Sequence, residues 1–300
     1  MSREALPRAE LVAEAERVIR AGSRSFRMAS RLFDRRTRER AWLLYAWCRH
    51  CDDVCDGQSL GFAAAAPGAA PTPASVAVLQ TRTEAALRGE DGLGPPYDGL
   101  ARLLQECPIP AAFLRDHLEG FRLDAEGWRP QDGADLVRYC HHVAGVVGCM
   151  MAVVMGVPAE DGPTLQRAAD LGIAFQLANI ARDVADDHAI GRCYLPVQWM
   201  EQAGVDPADP LNPDRREALL AVVRRITDLA LDYERSAEPG IARLPLRSRW
   251  AVLSAKSIYG GIGRKVAALG ASAWDERVIV RRRVKLASMI GAFGRALARS

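Results

Sequence analysis

The segment Leu171–Asp187 constrains this chain more than any other part of it. It has no proline, one glycine near its start, and apolar residues almost all the way round a helix, the mark of a helix buried on every side. Yet Gln176, Asn179, Asp183 and Asp187 recur at i, i+3, i+7 and i+11, so they form one polar stripe along it. A buried carboxylate costs several kcal/mol unless it is paired or holds a metal. The stripe therefore predicts a cavity beside the helix, with cations held there by oxygen ligands.

A second stretch, Trp42–Asp56, repeats the pattern. Tyr45, Arg49, Asp52 and Asp56 share one face at i, i+4, i+7 and i+11. Two mostly apolar helices thus each carry an Asp-x-x-x-Asp pair on a single stripe. Facing one another, they make an oxygen-rich site suited to Mg²⁺, which keeps several waters and takes one or two carboxylates plus substrate phosphates. Arg49 and Arg182, beside the pairs, suit phosphate oxygens. Isolated Asp pairs at this spacing usually sit on solvated faces, and a nearby Arg is often ordinary helix ion pairing. Two copies inside apolar helices, each with amides or Arg on the same stripe, favour the metal–diphosphate reading.

A chain of 300 residues buries a large core. A net charge of +3 is too small to argue for nucleic acid. The seven cysteines lie mostly inside helical patterns; Cys48, Cys51 and Cys55 follow i, i+3, i+7 beside the Asp stripe, where small core residues fit better than a zinc or iron–sulfur site. Reduced thiols and a start (Met1–Ser2–Arg3–Glu4) without a signal region indicate the cytoplasm. The longest uncharged run, Val143 to Pro158, is interrupted by glycines and falls short of the roughly 20 residues of a membrane span, so it reads as a buried helix.

Helical periodicity covers Leu11–Arg20, about Arg36–Asp56, Val76–Arg88, Tyr97–Gln105 and Ala111–Asp124, then roughly Arg215–Glu238, Leu246–Leu269 and Arg277–Arg299. Ser23–Arg24–Ser25–Phe26 reads as a helix cap, with phosphate binding as the alternative. The Ala/Gly/Pro-rich run from Gly57 to Ala74 predicts a flexible loop next to Asp56. Glu119, Arg122 and Asp124 read as a solvated face, and Asp132 or Asp135 opens the helix through Tyr139–Gly148. In that helix Ala144, Gly145 and Gly148 permit close helix contact or leave room for a long ligand. His141 and His142 lack a carboxylate partner at metal-binding spacing and read as structural. Gly191–Pro196 forms a tight exit loop. Beta signals are nearly absent, and Gly260–Gly263 sits inside a helical pattern, so nucleotide binding there is unsupported. The fold predicted is all-α, one domain over residues 1–300 (core about 15–290) around a central cavity. Arg281–Arg283 and Lys285 read as a solvated helix face, with weak attraction to an anionic lipid surface as the alternative.

With those motifs in place, the chain resembles the squalene/phytoene synthase family. The resemblance is carried by Ser23–Phe26, by Tyr45–Asp53 with Asp56, by Tyr139–Cys140 and Val143–Gly148, by Gln176, Asn179, Arg182, Asp183 and Asp187, by Gly191–Pro196, and by Tyr259 and Ala273–Arg277. It implies an isoprenoid synthase helical fold and head-to-head condensation of two prenyl diphosphates. The first product would be a cyclopropyl compound, prephytoene diphosphate, and the last phytoene. It further implies that Asp52, Asp56, Asn179, Asp183 and Asp187 hold Mg²⁺ or Mn²⁺, and that Ser23, Ser25, Arg49, Arg182, Tyr259 and Arg277 touch diphosphates. Phe26, Tyr45, Tyr139 and Gln176 stand near them, Tyr139 and Tyr259 counted with the catalytic groups. No NADPH and no nucleic acid are expected; hand-off to a phytoene desaturase and peripheral contact with the inner face of the membrane are. His141 stands where relatives often have Tyr, Cys55 and Gly57 where Ile and Asp are common, and Arg24 where Lys is common; none of these is an implied metal ligand. The rival readings are a squalene or dehydrosqualene synthase using farnesyl diphosphate, an all-α Mg²⁺-dependent nucleotide pyrophosphatase, and a non-catalytic helical module.

Overall fold

The computed structural model describes residues 6–56, 58–59, 62–63, 72–275, 278 and 282–298. The helices are α1 (Arg8–Gly22), α2 (Arg24–Ser30), α3 (Arg35–Asp56), α4 (Pro73–Leu87), α5 (Pro95–Glu106), α6 (Ala111–Ala125), α7 (Gly133–Cys140), α8 (Val146–Val154), α9 (Gly162–Ala189), α10 (Val197–Ala203), α11 (Arg216–Ser236), α12 (Glu238–Ala242), α13 (Leu246–Leu269) and α14 (Arg282–Ala298). Two antiparallel two-residue strands, β1 (Gln58–Ser59) and β2 (Phe62–Ala63), follow α3, where no strand was expected.

Local chemistry sets many of the helix starts. Ser23 Oγ accepts from the Phe26 amide, which is the cap read from sequence; Thr72 and Ser75 form a reciprocal capping box; Asp132, not Asp135, caps α7; and Asp161 caps α9 ahead of Pro163. Gly204, at φ 72°, ends α10 in the left-handed conformation that other residues adopt at a cost. The segment continuing α7 is a π turn, His141–Gly145, before α8 resumes the α pattern. Together they form one helical run, Gly133–Val154, as long and apolar as a membrane span; this corrects the expectation that no segment reaches that length. Half of it is buried against its neighbours, as in a core helix.

The buried helix of the sequence reading is α9, at 28 residues longer than Leu171–Asp187 alone. It packs against α8, α11, α12 and α13. One core cluster centres on Trp47, Leu43, Leu79, Leu100 and Met150, and a second on Leu136, Leu177, Ile226 and Val266, with α9 contributing to both. α14 starts at Arg282 rather than Arg277. Arg277 itself, most of the 57–74 loop, and the side chains of Arg24, Asp56, Arg282 and Lys285 lie outside the described residues.

Candidate active site

On α3, three and four residue steps bring Tyr45, Arg49 and Asp52 into one row. The Arg49 Nε and Nη2 atoms each lie 3.4 Å from the Tyr45 hydroxyl, to which they donate, and Nη1 lies 3.7 Å from Asp52 Oδ2. Phe26 of α2 stacks on the Tyr45 ring at 5.3 Å. Burial pushes the Tyr45 phenol up, and the Arg49 charge pulls it partly back.

On α9, Asn179 Nδ2 donates to Gln176 Oε1 at 3.4 Å, whereas the buried Asn179 Oδ1 has no hydrogen-bond partner. Arg182 grips Asp183 with two parallel bonds, one of 2.7 Å from Nε to Oδ1. The Asp187 carboxyl is pushed up to about 7, first by burial and then by the Asp183 charge, with Arg192 opposing. Tyr259 of α13 stacks on Phe175 at 4.6 Å. Its phenol is raised by burial and lowered by both Arg182 and Arg49, so the α3 and α9 stripes converge beside this ring.

The converging rows open into a cavity of about 350 Å³. Its polar end is formed by Ser23, Tyr45, Arg49, Gln176, Asn179 and Tyr259. Its body is walled by apolar side chains, among them Phe33, Val147, Met151, Leu171 and Phe175. Both roles expected for the small residues are present: Ala144 and Gly148 line the cavity, and a Cβ on Gly148 would sit 2.3 Å from the Ala168 carbonyl oxygen, so only glycine permits that approach of α8 to α9. Phe26 lines the cavity; Ser25 and Tyr139 are not among its lining residues.

Tyr139 lies deeper, stacked between Trp128 at 5.6 Å and Tyr194 at 4.8 Å. Its hydroxyl donates to Asp124 Oδ2 and that of Tyr194 to Asp124 Oδ1, both at 2.9 Å. Asp124 is therefore no solvated residue, although Glu119 and Arg122 do pair at the surface as expected. Its charge also helps raise Asp187, which places this tyrosine pair behind the acidic end of α9. The histidines have the carboxylate partner that their spacing lacked: Asp116 of α6 bonds His141 Nε2 at 3.1 Å and, more closely, His142 Nδ1. Their two bonds hold the Asp116 carboxyl well below the usual range. No motif within one helix could have found either aspartate, because each meets its partners across helices.

The donor set fits a divalent metal in one specific way. Among the described residues there is no group of three or more His, Cys, Asp or Glu side chains placed to hold an ion by themselves. The unpartnered Asn179 oxygen and the Asp187 carboxyl, raised first by burial and then by Asp183, are oxygen donors on one face of α9. Such a face suits an ion that completes its shell with water and phosphate oxygens. Burial pushes the Cys48 and Cys51 thiols up, which opposes the thiolate form that zinc requires.

A family model described as squalene/phytoene synthase matches residues 19–288. The chain is 44% identical over 287 residues to the 15-cis-phytoene synthase of Pantoea ananas, covering 96% of this chain and 92% of that one. To the 15-cis-phytoene synthase of Paracoccus sp. it is 42% identical over 293 residues, covering 97% and 93%. A solved dehydrosqualene synthase in complex with ligand shares the fold with a TM-score of 0.84 at 24% identity, over 97% of this chain and 98% of that one. A squalene synthase from Alicyclobacillus acidocaldarius does so at 0.75 and 21% identity, over 88% and 97%. Family match, near-full-length identity and two acidic helices meeting at an apolar cavity agree: this chain belongs to the squalene/phytoene synthase family.

Proposed function

We propose that this prenyltransferase is a phytoene synthase of carotenoid biosynthesis. It joins two geranylgeranyl diphosphates head to head, through prephytoene diphosphate, to give phytoene with release of diphosphate. The observation that carries the reading is a largely apolar cavity with a polar end built from Arg49, Gln176, Asn179 and Tyr259, next to the aspartates of α3 and α9. Relatives 42–44% identical over nearly their whole length bear the phytoene synthase name.

Diphosphate leaves readily only when its charge is neutralised. Arg49 and Arg182 take its oxygens, exchanging Asp52 and Asp183 for them; Ser23, Ser25, Tyr45, Gln176, Tyr259 and Arg277 complete the contacts. Asp52, Asp56, Asn179, Asp183 and Asp187 would hold Mg²⁺ or Mn²⁺, which supplies Lewis-acid neutralisation of the leaving group. Phe26, Val147, Leu171 and Phe175 keep water from the allylic cation. The sequence of steps closes by proton loss, so no NADPH is consumed. Asp124 holds the Tyr139 and Tyr194 hydroxyls behind the site.

The protein works in the cytoplasm, with peripheral contact to the inner face of the membrane. α14 supports this: Ile290 is 75% exposed, and Phe293 and Leu297 follow it on the same face, with Arg283 and Arg295 exposed nearby. A product insoluble in water then passes within the membrane to a phytoene desaturase.

Product analysis by chromatography and mass spectrometry tests the reading. Purified protein is incubated with Mg²⁺, without NADPH, and separately with farnesyl or geranylgeranyl diphosphate. A C40 hydrocarbon from the C20 substrate is expected. A C30 product from the C15 substrate alone would assign dehydrosqualene synthesis instead, and no hydrocarbon from either, with Mn²⁺ also tried, would overturn the synthase reading.

A further inference from the structure

The depth of the cavity follows from helix register. α8 and the π turn run antiparallel to α9: a Cβ on Gly172 would lie 2.2 Å from the Ala144 carbonyl oxygen, and one on Gly148 2.3 Å from that of Ala168. α13 runs parallel to α9: Tyr259 stacks on Phe175, and Gly263 faces Ala178 one turn on. The lining positions of α9 therefore fall in layers, one per helical turn. Gln176 and Asn179 form the mouth, with Phe175 and Tyr259 just inside it. Gly172 follows with Ala144 and Ala255, and Ala168 next with Gly148 and Val252. Thr164 and Ala152 line the bore beyond that layer, with Met155 just past the end of α8. From Asn179 to Thr164 the helix rises about 22 Å.

The layer at Ala168 is built from small or short side chains from three helices, and because of this the bore continues past it to Ala152 and Thr164. That last layer adds about 5.4 Å, one helical turn, close to the reach of one isoprene unit. Ala168 and Val252 pack against the core and also line the cavity, and their partial exposure comes from the side that faces it. We propose that the layer of Gly148, Ala168 and Val252 is the gauge for prenyl length: its small side chains admit the terminal isoprene unit of a geranylgeranyl chain, which a shorter farnesyl chain does not carry. This rests on the proposed reaction and adds to it the residues that select the substrate.

Ala168→Phe and Val252→Phe, on different helices, each block the bore at this layer. The probes are the unreactive thiolodiphosphate analogues of the farnesyl and geranylgeranyl substrates, titrated with Mg²⁺ by calorimetry. In each variant the affinity for the C20 analogue should fall about tenfold or more relative to the C15 analogue, the size expected when a pocket rejects a few extra carbons. A ratio within about twofold of wild type in a variant whose circular dichroism is unchanged overturns the gauge. If Ala168→Phe does not fold, Val252→Phe and the milder Ala168→Val decide. Failure of the proposed reaction shows separately, as wild-type protein that yields no hydrocarbon, while the ratio of analogue affinities remains readable.

Discussion

Asp170 and Asp187 are carboxylates of one helix, both largely withdrawn from solvent, and the fold treats them in opposite ways. Asp170, in the N-terminal half of α9, is 4% exposed and fully served: it accepts from Ser236 Oγ at 2.6 Å, Gln166 Nε2 at 3.0 Å and Arg167 Nη1 at 3.2 Å. Asp187, in the C-terminal half, is raised to about 7 because burial and Asp183 outweigh Arg192. A structural carboxylate is satisfied by the chain itself, since a buried charge without partners costs several kcal/mol. Asp187, which we propose as a metal ligand, is left open to a cation. Along the cavity face, Ala168, Leu171, Gly172 and Phe175 are apolar, and Gln176 and Asn179 follow them at the polar end.

The contrast can be broken most severely at the polar end. Asp183→Asn should lower turnover by about 10³-fold, the scale of removing a preorganised charge from the transition state, while far-UV circular dichroism stays at wild type. A matching loss of helix would make Asp183 structural, like Asp170. Asp170→Ala should do the reverse: unfolding in urea shifts by about 3 kcal/mol, because Ser236 and Arg167 lose their acceptor, and the Mg²⁺ dependence of turnover is unchanged. Equal stability in that variant would remove the contrast.

A smaller effect sharpens it through pH. The buried His117, whose Nδ1 lies 3.2 Å from the His142 carbonyl oxygen, is lowered to about 4 by burial. The unfolded chain binds this proton first, near 6.5, so the stability held by the neutral ring is present above that pH and is lost as pH falls toward 4. Between pH 7 and pH 5 the loss is about 2 kcal/mol, and His117→Phe should flatten it in parallel urea titrations. Asp187 carries the opposite slope in metal-free protein: its folded value is raised, so its contribution is present at low pH and is lost as pH rises through about 7. Asp187→Asn should remove that slope and leave the one from His117. Identical pH profiles for wild type and both variants would refute both assignments.

The two acidic stripes were legible because a period of 3.6 writes each face of a helix into spacing alone. So were the Ser23 cap, which is local, and the buried character of α9. The partners of Asp124 were not legible: fifteen residues separate it from Tyr139 and seventy from Tyr194. Asp116 was hidden in the same way, on a different helix from the two histidines it joins. Nor did hydropathy place the end of the core run, since α7, the π turn and α8 join into one helix through charged Asp135 and Arg138.

Residue order along single helices thus settled the fold class and the family and named the candidate side chains, because these depend on local periodicity and on motifs read in a row. The depth of the cavity, the tyrosine pair on Asp124 and the close approach of α8 to α9 at Gly148 came only with the packed helices. Each depends on the register of one helix against another, and that register is set by side-chain volumes meeting across distances the chain does not encode locally.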